Sequence, residues 1–549
     1  MSLKFIVLSG TTGVTQNCYV YESDRDMIVV DCGVGFPDQE MFGVDLIIPD
    51  LSYIRENKKK LRGILISHGH EDHIGALPFL LKEVNAPVYG TALVAGFLKD
   101  KFSDYGLKGK KINVFDPDKD TFKLGDFKIT PFRVTHSVPD SVGYAIDTPE
   151  GRVFHVAEYK FDRTPVVGHT VDIEKIKSLS SQGPLFIASD CLGSNKPGFT
   201  MSEKQIERRI EIIAREAKGA IFFTTISSNI SRIQQALNVA GRLGRKATFV
   251  GRSTEKKAII AKELGYLNYK KGLVIFPKEL TKLAKEKRLY IISGSYGQPG
   301  SSLYRAALGE HRLITIEKGD TIIFSSDPGP PGSKQSIDFI VDRLIELDSD
   351  VHYYDMQEDL HVSGHGSQED IKKLLSLVKP KYFIPIGGTI RFMRAYRDLV
   401  VGTGADSDAI FELKPGESVE LKNRVARRGK RVKSKEVLVD GLGIGDVGNV
   451  VLRDRKILAN EGVAIAMIQI DGAKHRLTND PEIISRGFVF EKKKKGLLVK
   501  AGRELGKRIS KRKRIDKRTS KYTAIDFLER FFYKETGRRP MILPVIVEV

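Results

Sequence analysis

Three histidines and an aspartate fall within six residues in the stretch Ile66-Ser67-His68-Gly69-His70-Glu71-Asp72-His73-Ile74-Gly75. The short apolar segment before them, Gly63 to Ile66, reads as a buried strand. After them Ile74, Leu77, Leu80 and Leu81 recur at helical spacing. The cluster therefore sits on a strand-to-helix turn, where side chains converge. Imidazole nitrogens and a carboxylate are the donors of a zinc-type site. A fold that carries this stretch must gather them at the end of a strand.

A chain of 549 residues is long enough for two or more domains with their own cores. No apolar run approaches the length of a membrane span, so no membrane association is expected. Met1-Ser2-Leu3-Lys4-Phe5-Ile6-Val7-Leu8 runs directly into a strand-like pattern, without the features of a secretion signal. Cys18, Cys32 and Cys191 are far apart, fit a reducing compartment and read as core filler. A cytoplasmic location is the expectation. The net charge of +20 is a statement about partners. Beside a metal-ligand motif it points to a polyanion, with nucleic acid first among the candidates.

Asp31 closes the apolar strand 27–31, where a carboxylate can hold the metal-binding loop in place. His136 leaves the end of the strand Phe127 to Val134. Glu158 follows Val153-Phe154-His155-Val156-Ala157, and His155 reads as a strand residue facing away. The stretch after Ala86-Pro87-Val88-Tyr89-Gly90 reads as charged and turn-rich. Farther on, strand Leu185 to Ser189, helix Ser202 to Ala217, strand Ala220 to Thr224 and helix Asn229 to Leu243 alternate as in a parallel α/β sheet. Residues 422–435 hold eight basic and no acidic residues and read as a linker. Residues 491–521 hold fifteen Lys or Arg against three acids. That run suits either attraction to nucleic-acid phosphates or a subunit contact.

The His-x-His-x-Asp-His pattern resembles the signature of the metallo-β-lactamase superfamily. Longer blocks narrow the resemblance to the ribonuclease J family: Ser67 through Pro78, Tyr159-Lys160-Phe161-Asp162-Arg163-Thr164-Pro165, Ser228 through Gln235, Ser293 through Pro299, and His361-Val362-Ser363-Gly364-His365-Gly366-Ser367-Gln368. C-terminal blocks from Asp440 and from Thr536 extend it over the full length. The resemblance implies a metallo-β-lactamase αββα sandwich with an inserted β-CASP α/β domain and a small C-terminal α/β domain. The implied division is 1–189 and 351–421 for the lactamase-like domain, 190–350 for the insertion, 422–435 for the linker and 436–549 for the C-terminal domain.

The resemblance also implies roles. His68, His70 and His136 would hold one metal, Asp72 and His73 the next, and Glu158 would bridge them. The expected ion is Zn²⁺, one or two per chain, with Mn²⁺ or Mg²⁺ as alternatives. Asp72 and His365 would be catalytic. His361, Val362, Ser363, Gly364 and His365 would bind a substrate phosphate, and Ser228 and Asn229 a 5′-terminal one. The implied activity is 5′-to-3′ removal of nucleotides from 5′-monophosphorylated RNA, with endonuclease activity, in rRNA and other RNA processing and decay. Partners would be RNA and a homo-oligomer (dimer or tetramer) or a hetero-oligomer with a paralogue.

The chain departs from the family in three places. Gly387 stands where the family supplies another histidine to the second metal. Glu158 stands where the family usually has aspartate, one methylene (about 1.5 Å) shorter. Ser9-Gly10-Thr11-Thr12-Gly13 replaces a glycine-rich turn ending in glutamate. A strong first site and a weakened second one are expected. Two readings stay open: an active ribonuclease, or a catalytically weak paralogue acting as an RNA-binding or assembly subunit.

Overall fold

Successive side chains of a strand point to opposite faces, and in this chain that parity sorts the apolar residues into layers. Phe127, Ile129, Tyr144, Ile146, Val153, Phe186 and Ile384 share one core with Phe5, Val7, Tyr21, Ile28 and Leu65. Their neighbours of opposite parity, Phe132, Ala145, Phe154, Ile187 and Phe383, join a second core with Ile176, Leu374, Leu375, Tyr396 and Val400. Those partners lie on the helices Ile173–Ser180, Gln368–Val378 and Ile390–Gly402. Strands buried on both faces read as continuous apolar runs, as Leu185 to Ala188 does before the buried Ser189 and Asp190.

In this computed structural model, residues 2–549 are described, apart from 39, 327–328, 330–332, 355–359, 442, 489–490 and 513–514 and the side chains of 449 and 491–495. The first sheet runs Val425–Arg428, Ser418–Lys422, Leu3–Ser9, Cys18–Ser23, Met27–Val30, Leu61–Leu65, Val88–Gly90 and Ile112–Val114. The second runs Tyr382–Ile386, Phe186–Asp190, Gly151–Val156, Val142–Thr148, Phe127–Arg133 and Phe122–Leu124. Strand Phe186–Asp190 pairs in parallel with Tyr382–Ile386, although about two hundred residues separate them. The chain leaves the sandwich at one strand and returns at its neighbour.

Between them lies a parallel sheet in the order Lys246–Val250, Arg288–Ile292, Ile221–Thr224, Thr321–Phe324 and Asp350–His352. It has a separate core containing Phe222, Tyr290, Ile322, Phe324 and Ile340. The expected α/β alternation is present here, with helices Lys204–Glu216 and Ile230–Arg242.

Two sequence expectations need correction. The region after Gly90 opens with a thirteen-residue helix, Ala92–Asp104, whose Leu93, Val94, Phe97 and Leu98 are buried. Its basic and acidic residues masked that spacing. The basic stretch 422–435 is not wholly a linker. Asn423 and Arg424, with φ of 53° and 62°, turn a two-residue hairpin, and Val425–Arg428 pairs back onto Ser418–Lys422. Arg427, Arg428 and their neighbours line a sheet edge, where charge discourages further strand pairing.

The chain divides into two compact units, residues 1–36 with 46–437 and residues 37–45 with 438–549. In the second unit Val463–Asp471 pairs with Glu482–Arg486 and, in parallel, with Met541–Glu548. Ala464, Ala466 and Ile468 pack against Ala501, Leu505, Leu528 and Phe532. The last four lie on the helices Glu491–Ser510 and Lys517–Thr536. The basic run 491–521 falls on these helices and lies partly outside the described residues. Among the described residues no helix is long and apolar enough to cross a membrane.

Candidate metal centre

Every member of the expected cluster follows the carboxyl end of a strand. The turn 66–70 follows Leu61–Leu65, His136 follows Phe127–Arg133, and Glu158 follows Gly151–Val156. Asp31 follows Met27–Val30, the parallel neighbour of Leu61–Leu65. Its carboxylate accepts from the Ser67 amide at 2.8 Å and from the Ser67 hydroxyl at 2.8 Å, which fixes the turn.

Two donor sets converge, His68, His70, His136 and Glu158 in one and Asp72, His73 and Glu158 in the other. In the first, His68 Nε2 and His70 Nδ1 are 3.1 Å apart, and His70 Nδ1 and His136 Nε2 are 3.3 Å apart. Glu158 Oε2 lies 3.2 Å from His68 Nε2, 2.9 Å from His136 Nε2 and 3.9 Å from His70 Nδ1. In the second, His73 Nε2 lies 3.4 Å from Asp72 Oδ2 and 2.9 Å from Glu158 Oε1. Ligand atoms at 2.0–2.1 Å from a zinc ion stand about 3.3 Å apart at the corners of a tetrahedron. The donor spacings of this chain therefore fit a metal ion of that size in each set. The two Glu158 oxygens address different sets, so the longer side chain reaches both.

The far nitrogen of each imidazole is also held. His68 Nδ1 donates to Ser67 Oγ at 3.0 Å, and His73 Nδ1 donates to Asp31 Oδ2 at 2.8 Å. His136 Nδ1 donates to the Gly364 carbonyl at 2.9 Å, and His70 Nε2 is 3.3 Å from Ser137 Oγ. Such partners choose the tautomer and aim the ligating nitrogen. Burial, then the neighbouring His73, pushes the His68 pKa well below its ordinary value, and burial also lowers His70. Burial opposes charge on His73, but Asp72, Glu158 and Asp31 outweigh it and raise that ring's pKa well above the ordinary value. Burial likewise opposes charge on Glu158, and His73, His365, His68 and His136 overcome it and hold its carboxyl well below the usual range. The concentration of carboxylates is electrostatically suited to a cation.

His365 donates from Nδ1 to Asp190 Oδ2 at 2.7 Å, and its ring is 5.4 Å from that of His136. The loop 361–365 thus closes over the first donor set. Gly364 is required there, since a Cβ on it would stand 2.5 Å from His136 Cε1. A buried network holds the loop from behind. Lys160 Nζ donates to Glu203 Oε1 at 2.9 Å and to the Ser363 carbonyl at 3.1 Å. Arg232 pairs with Glu203 at 3.1 Å and reaches the Val362 carbonyl at 3.4 Å. His361 is partly buried near Arg232, and its Nδ1 has no hydrogen-bond partner among the described residues.

Ser228 and Asn229 are buried at the start of the helix Ile230–Arg242, where Asn229 Oδ1 caps the helix by accepting from the Arg232 amide at 3.0 Å. The Asn229 NH2 remains as its side-chain donor. His155 faces the core between the sheets and bonds the Tyr21 hydroxyl at 2.9 Å, as strand parity requires. Gly387 has φ of +72°, and its amide donates to the Gly10 carbonyl at 2.8 Å, so two departures from the family pattern touch.

Sequence reasoning missed Asp190, Ser67, Asn17 and the Lys160–Glu203–Arg232 network as parts of the site. Asp190 closes a buried strand, the same signal that singled out Asp31. The network joins residues far apart in the chain and leaves no local signal.

The sandwich and its donor sets define a hydrolase centre of the metallo-β-lactamase type. Family models agree: the metallo-beta-lactamase superfamily matches residues 11–170, and the Zn-dependent metallo-hydrolase RNA specificity domain matches 356–409. The ribonuclease J beta-CASP domain matches 218–344 and the ribonuclease J C-terminal domain 450–549. Ribonuclease J2 of Bacillus subtilis (strain 168) is 36% identical, over 100% of this chain and 99% of its own length. Ribonuclease J 1 of Streptococcus pyogenes serotype M3 is 36% identical, over 98% of this chain and 96% of its own. The chain belongs to the ribonuclease J family. A crystal structure of a protein of unknown function from Enterococcus faecalis V583 aligns with a TM-score of 0.52 at 14% identity, over 77% of this chain and 100% of its own, and shows the fold alone.

Proposed function

We propose that this chain is a metal-dependent ribonuclease that removes nucleotides from the 5′ end of 5′-monophosphorylated RNA and also cleaves internally. The observation that carries the proposal is the pair of donor sets joined by Glu158. Zn²⁺ is the ion favoured by a set rich in imidazole, with Mn²⁺ supporting turnover when abundant. When bound, such ions activate water near neutral pH and neutralise charge developing at phosphorus.

The protein's side chains supply the remaining work. His68, His70 and His136 are held in one tautomer each and need no rearrangement to ligate. Asp72, the more exposed carboxylate of its set, accepts a proton from the attacking water. His365 acts as the imidazolium, with its Nδ1–H held by Asp190; its Nε2–H bonds a phosphate oxygen and then passes that proton to the leaving oxygen. The loop His361, Val362, Ser363 and Gly364 offers donors to the scissile phosphate. Ser228 and the Asn229 NH2 hold the 5′ phosphate. The protein works in the cytoplasm on RNA processing and decay, as a homo-oligomer or with a paralogue.

A second reading is favoured by Gly387, which leaves three residues in the second donor set. In it the chain is a weak catalyst that binds RNA or assembles a ribonuclease complex. Metal content and turnover measured on one sample separate the two. The protein is purified without chelator, its zinc and manganese are counted, and 5′-monophosphorylated RNA is offered with Mn²⁺. Turnover abolished by His68→Ala supports the enzyme. Metal-loaded protein that binds RNA and leaves it intact supports the subunit.

A further inference from the structure

We propose that the Asn17 side-chain oxygen is a protein ligand of the second donor set, supplying the donor that Gly387 withholds. The inference rests on the two-ion reading above. Asn17 Nδ2 lies 3.0 Å from His73 Nε2 and 3.3 Å from Asp72 Oδ2. Those spacings match the 3.4 Å between His73 Nε2 and Asp72 Oδ2 and the 2.9 Å between His73 Nε2 and Glu158 Oε1. The end of the Asn17 amide thus stands beside His73 and Asp72 at spacings near the tetrahedral edge of about 3.3 Å.

Oxygen and nitrogen of an amide are assigned by their hydrogen bonds. Here those bonds conflict. The Tyr19 hydroxyl has one proton and faces two acceptors, Gly10 O at 2.9 Å and Asn17 Oδ1 at 2.7 Å. Turning the amide over resolves this. Asn17 Nδ2 then donates to the Tyr19 oxygen, the Tyr19 proton goes to Gly10, and Oδ1 faces His73 and Asp72. The Asp72 carbonyl keeps its bond from the Asn17 backbone amide at 2.9 Å. An NH2 aimed at an ion would repel it, whereas a carbonyl oxygen is a normal ligand. Two oxygens from Asp72 and Asn17 side by side are tolerable only with a cation between them, so the turned amide and the second ion stabilise each other. The Tyr19 hydroxyl that bonds the Asn17 side chain also bonds the Gly10 carbonyl, which accepts from the Gly387 amide.

The test is a titration of metal-free protein with Zn²⁺ or Mn²⁺, read as ions bound and the Kd of each. The wild type is expected to take two ions. Asn17→Ala is expected to keep the first and bind the second at least about 10-fold more weakly. Asn17→Asp, of the same shape, is expected to bind the second as tightly as the wild type or better. An Asn17→Ala chain that binds both ions like the wild type overturns the role of Asn17 alone. A wild type that takes only one ion removes the two-ion reading and the proposal with it, and a wild type that takes none removes the metal centre itself. If the variants do not fold, a crystal structure of the wild type grown with Mn²⁺ decides. An Asn17 oxygen within about 2.3 Å of the second ion is expected. A water in its place overturns the proposal.

Discussion

At the residue scale the centre depends on atoms that never touch substrate. Gly364 gives its carbonyl to His136 and leaves no room for a methyl group. Gly364→Ala is expected to displace the His136 ring and weaken the first ion by about 10–100-fold, read by metal titration. RNA turnover should fall with it. His155 sets a pH response. Burial, aided by the charge on His73, pushes its pKa down to about 3 from 6.5. The unfolded chain therefore binds the extra proton between those two values. Stability is complete above about pH 6.5 and declines as pH falls toward 3, by ~3 kcal/mol at pH 4.5. His155→Phe should lose about 1 kcal/mol at pH 7 through the orphaned Tyr21 hydroxyl and lose less than the wild type on acidification. Denaturation midpoints at pH 7 and 4.5 for both chains check this.

At the element scale the loop 361–365 is placed by charges buried between the sandwich and the insertion. Lys160, Glu203 and Arg232 are almost wholly enclosed, and Glu203 is the shared partner of both cations, so neutralising it leaves two buried charges without that counter-charge. Glu203→Gln is expected to cost about 3–5 kcal/mol, seen as an earlier thermal transition. It should also lower turnover by loosening the Val362 and Ser363 carbonyls. The hairpin at 423–424 carries a lesson of the same scale. Its basic residues looked like a tether because charge density was read before strand pairing.

Over the whole molecule the charge of +20 is a prediction about salt. RNA affinity should fall linearly with salt on logarithmic axes. Lys511→Gln with Arg512→Gln should flatten the slope by about 1.4 if both meet phosphates. Nitrocellulose binding across salt concentrations checks it; an unchanged slope with an altered oligomer would assign the run to a subunit contact instead. The cluster His68 to His73, the ends of the strands that carry Asp31, His136 and Glu158, and the α/β alternation of the insertion were all legible in order along the chain. They rest on local spacing and on period-2 burial, which neighbouring residues suffice to express. The pairing of Asp190 with His365, the Gly364 carbonyl on His136 and the approach of Asn17 to His73 were not. Each joins segments from 56 to 228 residues apart. Only strand order and loop closure bring such segments within hydrogen-bond range, and a linear pattern carries no record of that distance.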